Sequence, residues 1–156
     1  MKADLIYRIA IFLFLNFGAL AIGAVFTGKG VPSDWYVNLN KAPWTPPGWV
    51  FGAAWSTIMI CFSIYMAYLW KMDIDMKLLI TLYTVQWILN VSWNPVFFYF
   101  HQVTLGLVVI VSLTILVTFF LINYWSELGI KSAFILPYVL WLFIATSLNG
   151  YILFKN

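Results

Sequence analysis

The side chains in this sequence whose types and spacing suit chemistry are aromatic rings and carboxamides. Residues 35–55 read WYVNLNKAPWTPPGWVFGAAW and hold four of the nine tryptophans and three of the six prolines. Pro43, Pro46 and Pro47 fix φ and withhold backbone donors, so residues 41–45 cannot continue a helix. Thr45 followed by Pro46 reads as an N-cap with proline at the first helical position. A loop this rigid holds its aromatic side chains in place at little further entropic cost. Two readings are open. Tryptophan joins an apolar ring to a polar N–H and suits the water–lipid boundary, which makes an interfacial anchor belt. The sharper reading is a preorganised aromatic lid over a ligand pocket.

Further along, Gln86, Asn90, Asn94 and Phe97 fall at steps of four, four and three, with Trp93 one position round. Amides facing lipid are costly, so this face must point into a bundle, where it either bonds neighbouring helices or lines a cavity. Pro137 is followed by Tyr138, Trp141, Ala145, Leu148 and Asn149 on one helical face, and that mixture of aromatic, small and amide groups resembles a pocket wall. Gly52, Trp55, Met59 and Ser63 form a third stripe. Such walls suit a large, flat, mainly apolar ligand held by stacking and dispersion, with hydrogen bonds fixing its orientation.

Other chemistries lack their parts. There is no Gly-rich phosphate loop, no buried carboxylate pair and no nucleophile elbow, so ordinary acid–base or hydrolytic catalysis is not expected. His101 is the only histidine, which excludes a bis-histidine haem site within one chain, and Cys61 is the only cysteine, which excludes a disulfide framework or paired-thiol metal site. Asp73 and Asp75, in KMDIDMK, read as a solvated loop. Neither a metal nor a required cofactor is expected. Acids and lysines are confined to the helix ends, which argues against a proton-coupled pump.

The elements that carry these stripes follow from composition. The chain of 156 residues is 64% hydrophobic and 8% charged, with mean hydropathy +0.95, more apolar surface than a soluble domain of this size can hide. Five apolar stretches, 6–26, 50–70, 78–100, 104–125 and 132–154, each span a hydrocarbon core of about 30 Å as helix. The expected fold is an all-α integral membrane protein, a single domain over 1–156 built as a five-transmembrane-helix bundle, with the Trp/Pro-rich loop between its first and second helices. Ala19-Leu20-Ala21 fits a signal-peptidase site, but the run stays apolar to Phe26, so an uncleaved first helix is expected. Asn16 lies at its mid-depth, and Ala19 with Gly23 lets another helix approach closely. Pro95 should bend the third helix near its end, and the aliphatic fourth helix reads as scaffold. The net charge of +3 is scattered through loops and forms no basic patch, so nucleic acid is not a partner. Five cations (Lys2, Arg8, Lys71, Lys77 and Lys131) share one side, against Lys29, Lys41 and Lys155 on the other. The positive-inside rule then places the amino terminus in the cytoplasm.

Three blocks carry a family resemblance. Trp35-Tyr36, Leu39, Lys41, Trp44, Pro46-Pro47, Trp49-Val50-Phe51 and Trp55 form the first. Gln86, Asn90, Trp93, Pro95, Phe97 and Phe98 form the second, and Pro137-Tyr138, Trp141, Ala145-Thr146 and Leu148-Asn149 the third. Together they resemble the tryptophan-rich sensory, or translocator, protein family, also known as the peripheral benzodiazepine receptor. The resemblance implies a five-helix bundle in a bacterial cell membrane, a homodimer, and binding of porphyrins such as protoporphyrin IX or haem, of sterols and of benzodiazepine-site drugs. It also implies a pocket lined by Tyr36, Trp44, Trp55, Asn90, Trp93, Trp141, Ala145 and Leu148. For some bacterial members it implies light-dependent porphyrin breakdown, with porphyrin as ligand or substrate and with Trp55 and Trp141 as the photochemical residues. Leu148, Tyr151 and Lys155 also fit the loose cholesterol-contact pattern. Two positions depart from the family: Ala42 stands between Lys41 and Pro43, and Leu105 replaces a tryptophan frequent at the start of the fourth helix. The alternative function is a non-catalytic membrane assembly partner, or a transporter of lipid or tetrapyrrole.

Overall fold

A chain surrounded by hydrocarbon must pair its backbone N–H and C=O groups internally, and helices do so within one segment. The computed structural model describes residues 2–156, and among them every regular element is helical. In order these are α1 (Lys2–Gly30), the one-turn α2 (Asp34–Val37), α3 (Gly48–Leu69), α4 (Met76–Asn94), a π-helical turn (Pro95–Tyr99), α5 (Val103–Asn123), the one-turn α6 (Trp125–Leu128), a 3₁₀ stretch (Gly129–Ile135) and α7 (Leu136–Lys155). Four segments are long and apolar enough to cross a membrane: Ala3–Gly30, Gly48–Leu69, Val103–Asn123 and Trp125–Lys155. α4, in the place of the third expected span, has 19 residues and does not join them, because Lys77, Gln86, Asn90 and Asn94 dilute its apolar character. The expectation of five spans therefore meets four helices that qualify by length and composition.

Prolines set several boundaries. α3 begins at Gly48 with Pro47 as its N-cap residue, not at Pro46 behind Thr45 as the sequence suggested. Pro46 itself precedes a proline and is pushed off the helical region, and the Thr45 hydroxyl is used on the Ala42 carbonyl at 2.7 Å. Pro95 has no N–H to give, and the helix widens there into the π turn, where the Phe100 N–H donates to the Pro95 carbonyl at 2.9 Å. Pro137 lies in the first turn of α7, where its missing donor costs nothing, so the regular helix starts later than the apolar run at 132. At the other end of the molecule, the Asp75 carboxylate accepts from the Leu78 N–H at 3.0 Å and caps α4.

The long helices close a ring in the order α1, α3, α7, α5, α4, each packed on the next and α4 on α1. α4 and α7 face each other across its middle. Gln86 Nε2 donates to the Tyr138 hydroxyl at 2.8 Å and Trp93 Nε1 donates to Asn149 Oδ1 at 3.1 Å. One half of the ring is a dry core centred on Phe62, Tyr65, Phe120, Tyr138 and Leu142, all fully buried. Within it Asn16 ties three helices together: its Nδ2 donates to Ser63 Oγ at 2.9 Å, and its Oδ1 accepts from the Tyr83 hydroxyl at 2.8 Å. The small pair Ala19 and Gly23 serves a contact within the subunit. A Cβ on Gly23 would come within 2.6 Å of Asn94 Nδ2, so only glycine lets α4 approach this closely.

Asn16→Leu removes both bonds and strands the Tyr83 hydroxyl in the core. It should lower stability by about 1–2 kcal/mol, read as an earlier unfolding midpoint in a denaturant titration of the micellar protein. An unchanged midpoint would show that these bonds hold nothing together.

Candidate functional site

Away from the dry core the helices separate around a cavity of about 640 Å³, within the range of about 300–1,000 Å³ typical of small-molecule sites. α1 contributes Ala19, Gly23 and Thr27 to its wall, and α3 contributes Phe51, Gly52, Trp55 and Ser56. Asn90, Trp93 and Asn94 of α4 face Ala145, Leu148 and Asn149 of α7, with Phe97 and Phe98 added by the π turn. Tyr36, Lys41, Thr45 and Pro46 bring the tryptophan loop over the end.

Three groups of contacts hold that loop down. The Trp35 ring stacks on His101 at 4.1 Å and 16° and meets the Phe97 edge at 5.5 Å, while Tyr36 leans on Phe98 at 5.4 Å. His101 reaches this position with a φ of 54°, a left-handed conformation uncommon for a residue with a side chain. Asn40 and Asn156 clasp each other: the Asn40 backbone N–H donates to Asn156 Oδ1 at 2.8 Å, and Asn156 Nδ2 donates to the Asn40 carbonyl at 3.3 Å. Trp44 Nε1 donates to Ser147 Oγ at 3.2 Å, and its ring meets Tyr151 edge-on at 5.4 Å. The loop and the end of α7 therefore lie together.

Most polar groups in the wall are already engaged. Asn149 accepts from Trp93 and donates to the Val103 carbonyl at 3.1 Å, and Gly106 leaves room for it, since a Cβ there would lie 3.2 Å from Asn149 Oδ1. Asn94 Oδ1 accepts from the Thr27 hydroxyl at 2.8 Å. Asn90 differs. Its backbone carbonyl accepts from Asn94 Nδ2 at 3.4 Å, but its side-chain amide has no hydrogen-bond partner among the described residues and lies in the cavity wall. An NH₂ donor group and a carbonyl acceptor are thus presented from an apolar, aromatic wall that also holds the Trp55 ring. Lys41 is the one charged residue in the wall; its Nζ donates to the Val37 carbonyl at 3.0 Å and lies 4.8 Å over the Tyr36 ring. Among the described residues no carboxylate or imidazole lines the space, so the wall offers mainly aromatic faces and amide groups.

Of the residues that the sequence brings forward as pocket-lining, Tyr36, Trp55, Asn90, Trp93, Ala145 and Leu148 surround the cavity. Trp44 does not. It sits 54% exposed on the outer face of α7, where the Ser147 bond holds it. Trp141 is buried behind Phe51, whose ring it meets edge-on at 5.3 Å, and is separated by it from the cavity. Sequence reasoning did not place Phe51, Lys41 or the α1 wall in the site; the signal for α1 was the small pair Ala19 and Gly23, which marks where α4 comes close.

A family model described as the TspO/MBR family matches residues 10–155. Protein CrtK of Rhodobacter capsulatus is 34% identical over 132 residues, covering 83% of this chain and 80% of its own. The tryptophan-rich sensory protein of Cereibacter sphaeroides is 32% identical over 143 residues, covering 88% and 87%. The human translocator protein is 29% identical over 133 residues, covering 82% and 78%.

The Tyr36 phenol, half-buried in the loop, is pushed above its ordinary value by burial. A raised phenol stabilises the docked loop at pH below the free value of about 10 and loses that contribution as pH rises through the docked value. Loop docking, followed by tryptophan emission, should hold through pH 10 and weaken only above it, and Tyr36→Phe should delete that alkaline step. A step that persists in Tyr36→Phe would assign it elsewhere.

Proposed function

The chain belongs to the TspO/MBR family, and on that premise we propose that it is a membrane receptor or sensor that takes a flat, mainly apolar ligand into the cavity beneath the tryptophan loop. A porphyrin such as protoporphyrin IX is the first candidate, and a sterol-like lipid or a drug of the benzodiazepine-site type the second. The observation that carries the reading is the unengaged Asn90 amide in a wall of Trp55, Trp93, Phe97 and Leu148: aromatic faces to stack on a flat ring, and one fixed polar group to orient it. We read α4 with its π turn as the fifth span, its amides shielded from lipid by facing inward, in a homodimer of the cell membrane with a cytoplasmic amino terminus. The clasp between Asn40 and Asn156 fits an odd number of crossings, because it places loop and carboxyl terminus at one end.

Titrating protoporphyrin IX in the dark while following tryptophan emission tests the binding. Quenching should saturate, and Asn90→Leu should weaken it about tenfold, the equivalent of one lost hydrogen bond. Quenching that neither saturates nor responds to Asn90→Leu or Trp55→Leu would favour the assembly role instead.

A second reading, light-dependent breakdown of bound porphyrin, draws on the Trp55 ring in the cavity wall. An excited porphyrin can take an electron from an oxidisable indole, with oxygen as the terminal oxidant, and the protein need only hold the two together. Because Phe51 separates Trp141 from the space, Trp55→Phe should bind porphyrin but lose the discrete photoproduct, while Trp141→Phe keeps most of it. Wild-type product from Trp55→Phe would make that tryptophan a packing residue.

A further inference from the structure

A second concavity, of about 610 Å³, lies between the amino-terminal half of α1 and α4, remote from the tryptophan loop. Its floor is made of the buried rings of Phe12 and Tyr83, 5.2 Å apart and edge to face. The Tyr83 hydroxyl is turned inward to Asn16, so the ring alone faces the groove. The walls, Ile11 and Leu15 on α1 and Ile80 on α4, are 37–46% exposed, which in a membrane means exposed to lipid. The Thr84 hydroxyl is spent on the Ile80 carbonyl and adds no polarity.

Both ends of the groove are closed by polar contacts. At the far end Trp87 Nε1 donates to the Leu15 carbonyl at 3.0 Å and bridges α4 to α1. At the near end, by the amino terminus of α1, Arg8 Nε donates to Asp4 Oδ1 at 3.2 Å and Nη1 donates to the Trp70 carbonyl at 3.0 Å. Those two bonds fix the guanidinium while leaving three of its five N–H donors for another acceptor. The Asp4 side chain beside it is 48% exposed, with room for a cation on its free edge. From Arg8 to Leu15 the groove runs about 10 Å along α1.

We propose that this groove is a phospholipid site for one zwitterionic, amine-bearing lipid. An acyl segment lies over Phe12 and Tyr83, the phosphate takes the free N–H donors of Arg8, and the headgroup ammonium takes Asp4. The charge pattern selects the headgroup: a guanidinium and a carboxylate side by side match a phosphate and an ammonium side by side, and a headgroup with only negative charge meets Asp4 unfavourably. The site shares no lining residue with the cavity beneath the tryptophan loop, so it stands whether or not a porphyrin binds there.

Native mass spectrometry of the detergent-solubilised, delipidated full chain tests it, with palmitoyl-oleoyl phosphatidylethanolamine, the matching phosphatidylglycerol, dioleoylglycerol and cholesterol added separately. One phosphatidylethanolamine should be retained per chain, at least threefold more than phosphatidylglycerol, with little dioleoylglycerol or cholesterol. Arg8→Leu should abolish that preference. Ile80→Trp fills the groove from an exposed position and leaves the Arg8 bonds intact, so it should lose the lipid while keeping the wild-type thermal midpoint in lipid-free detergent. Equal retention by wild type and Ile80→Trp would overturn the proposal. So would dioleoylglycerol or cholesterol held as well as phosphatidylethanolamine, or a dimer that Ile80→Trp dissociates without any lipid being lost.

Discussion

Three carboxamides on one face of α4 cannot be left in hydrocarbon, and much of the architecture answers to that constraint. An amide without a partner in an apolar medium costs several kcal/mol. Gln86, Asn90 and Asn94 therefore turn toward the middle of the ring, where Gln86 donates to the Tyr138 hydroxyl of α7 and Asn94 accepts from the Thr27 hydroxyl of α1. Gly23 and Gly106 are the complementary concessions: each gives up a side chain so that an asparagine can sit against a neighbouring helix. The helix with the shorter hydrophobic run is thus the one whose polar face its neighbours in the ring must match.

That inward polarity divides the molecule in two. Toward the α6 end the ring is filled by buried aromatic and aliphatic side chains, from Phe62 to Leu142. Toward the tryptophan loop the π turn after Pro95 carries Phe97 and Phe98 sideways under Trp35 and Tyr36, and a cavity remains between them and Trp55. Asn149, bonded twice, is a strut. Asn90, one turn deeper on α4, has an amide free to meet a guest. Their side chains are identical, and the difference between structure and function lies in how many bonds each has already made.

The sequence shows the helical class, the tryptophan loop between the first two long helices and the inward face of α4, because each follows from a period or a proline that acts locally. It also brings Asn90, Trp55 and Trp93 toward one space, since aromatic and amide residues on a stripe leave few alternatives in a membrane. Trp44 and Trp141 escape that reasoning. Whether a tryptophan lines a cavity or stands behind it depends on one intervening side chain, here Phe51, and on a single bond to Ser147, neither of which has a periodic signal. The start of α3 was misplaced by two residues because a proline that itself precedes a proline cannot open a helix. The groove between α1 and α4 has no local signature at all: Arg8, Trp70 and Trp87 meet only through tertiary packing.

We propose that Asn90 is the polar group offered to the ligand while Asn149 is held by the protein. Side-chain amide resonances of the two asparagines, followed by ¹⁵N NMR of the micellar protein as protoporphyrin IX is added in the dark, test it directly. The Asn90 NH₂ pair should shift in proportion to occupancy, and the Asn149 pair should stay where it was. Movement of Asn149 with Asn90 unchanged would contradict it.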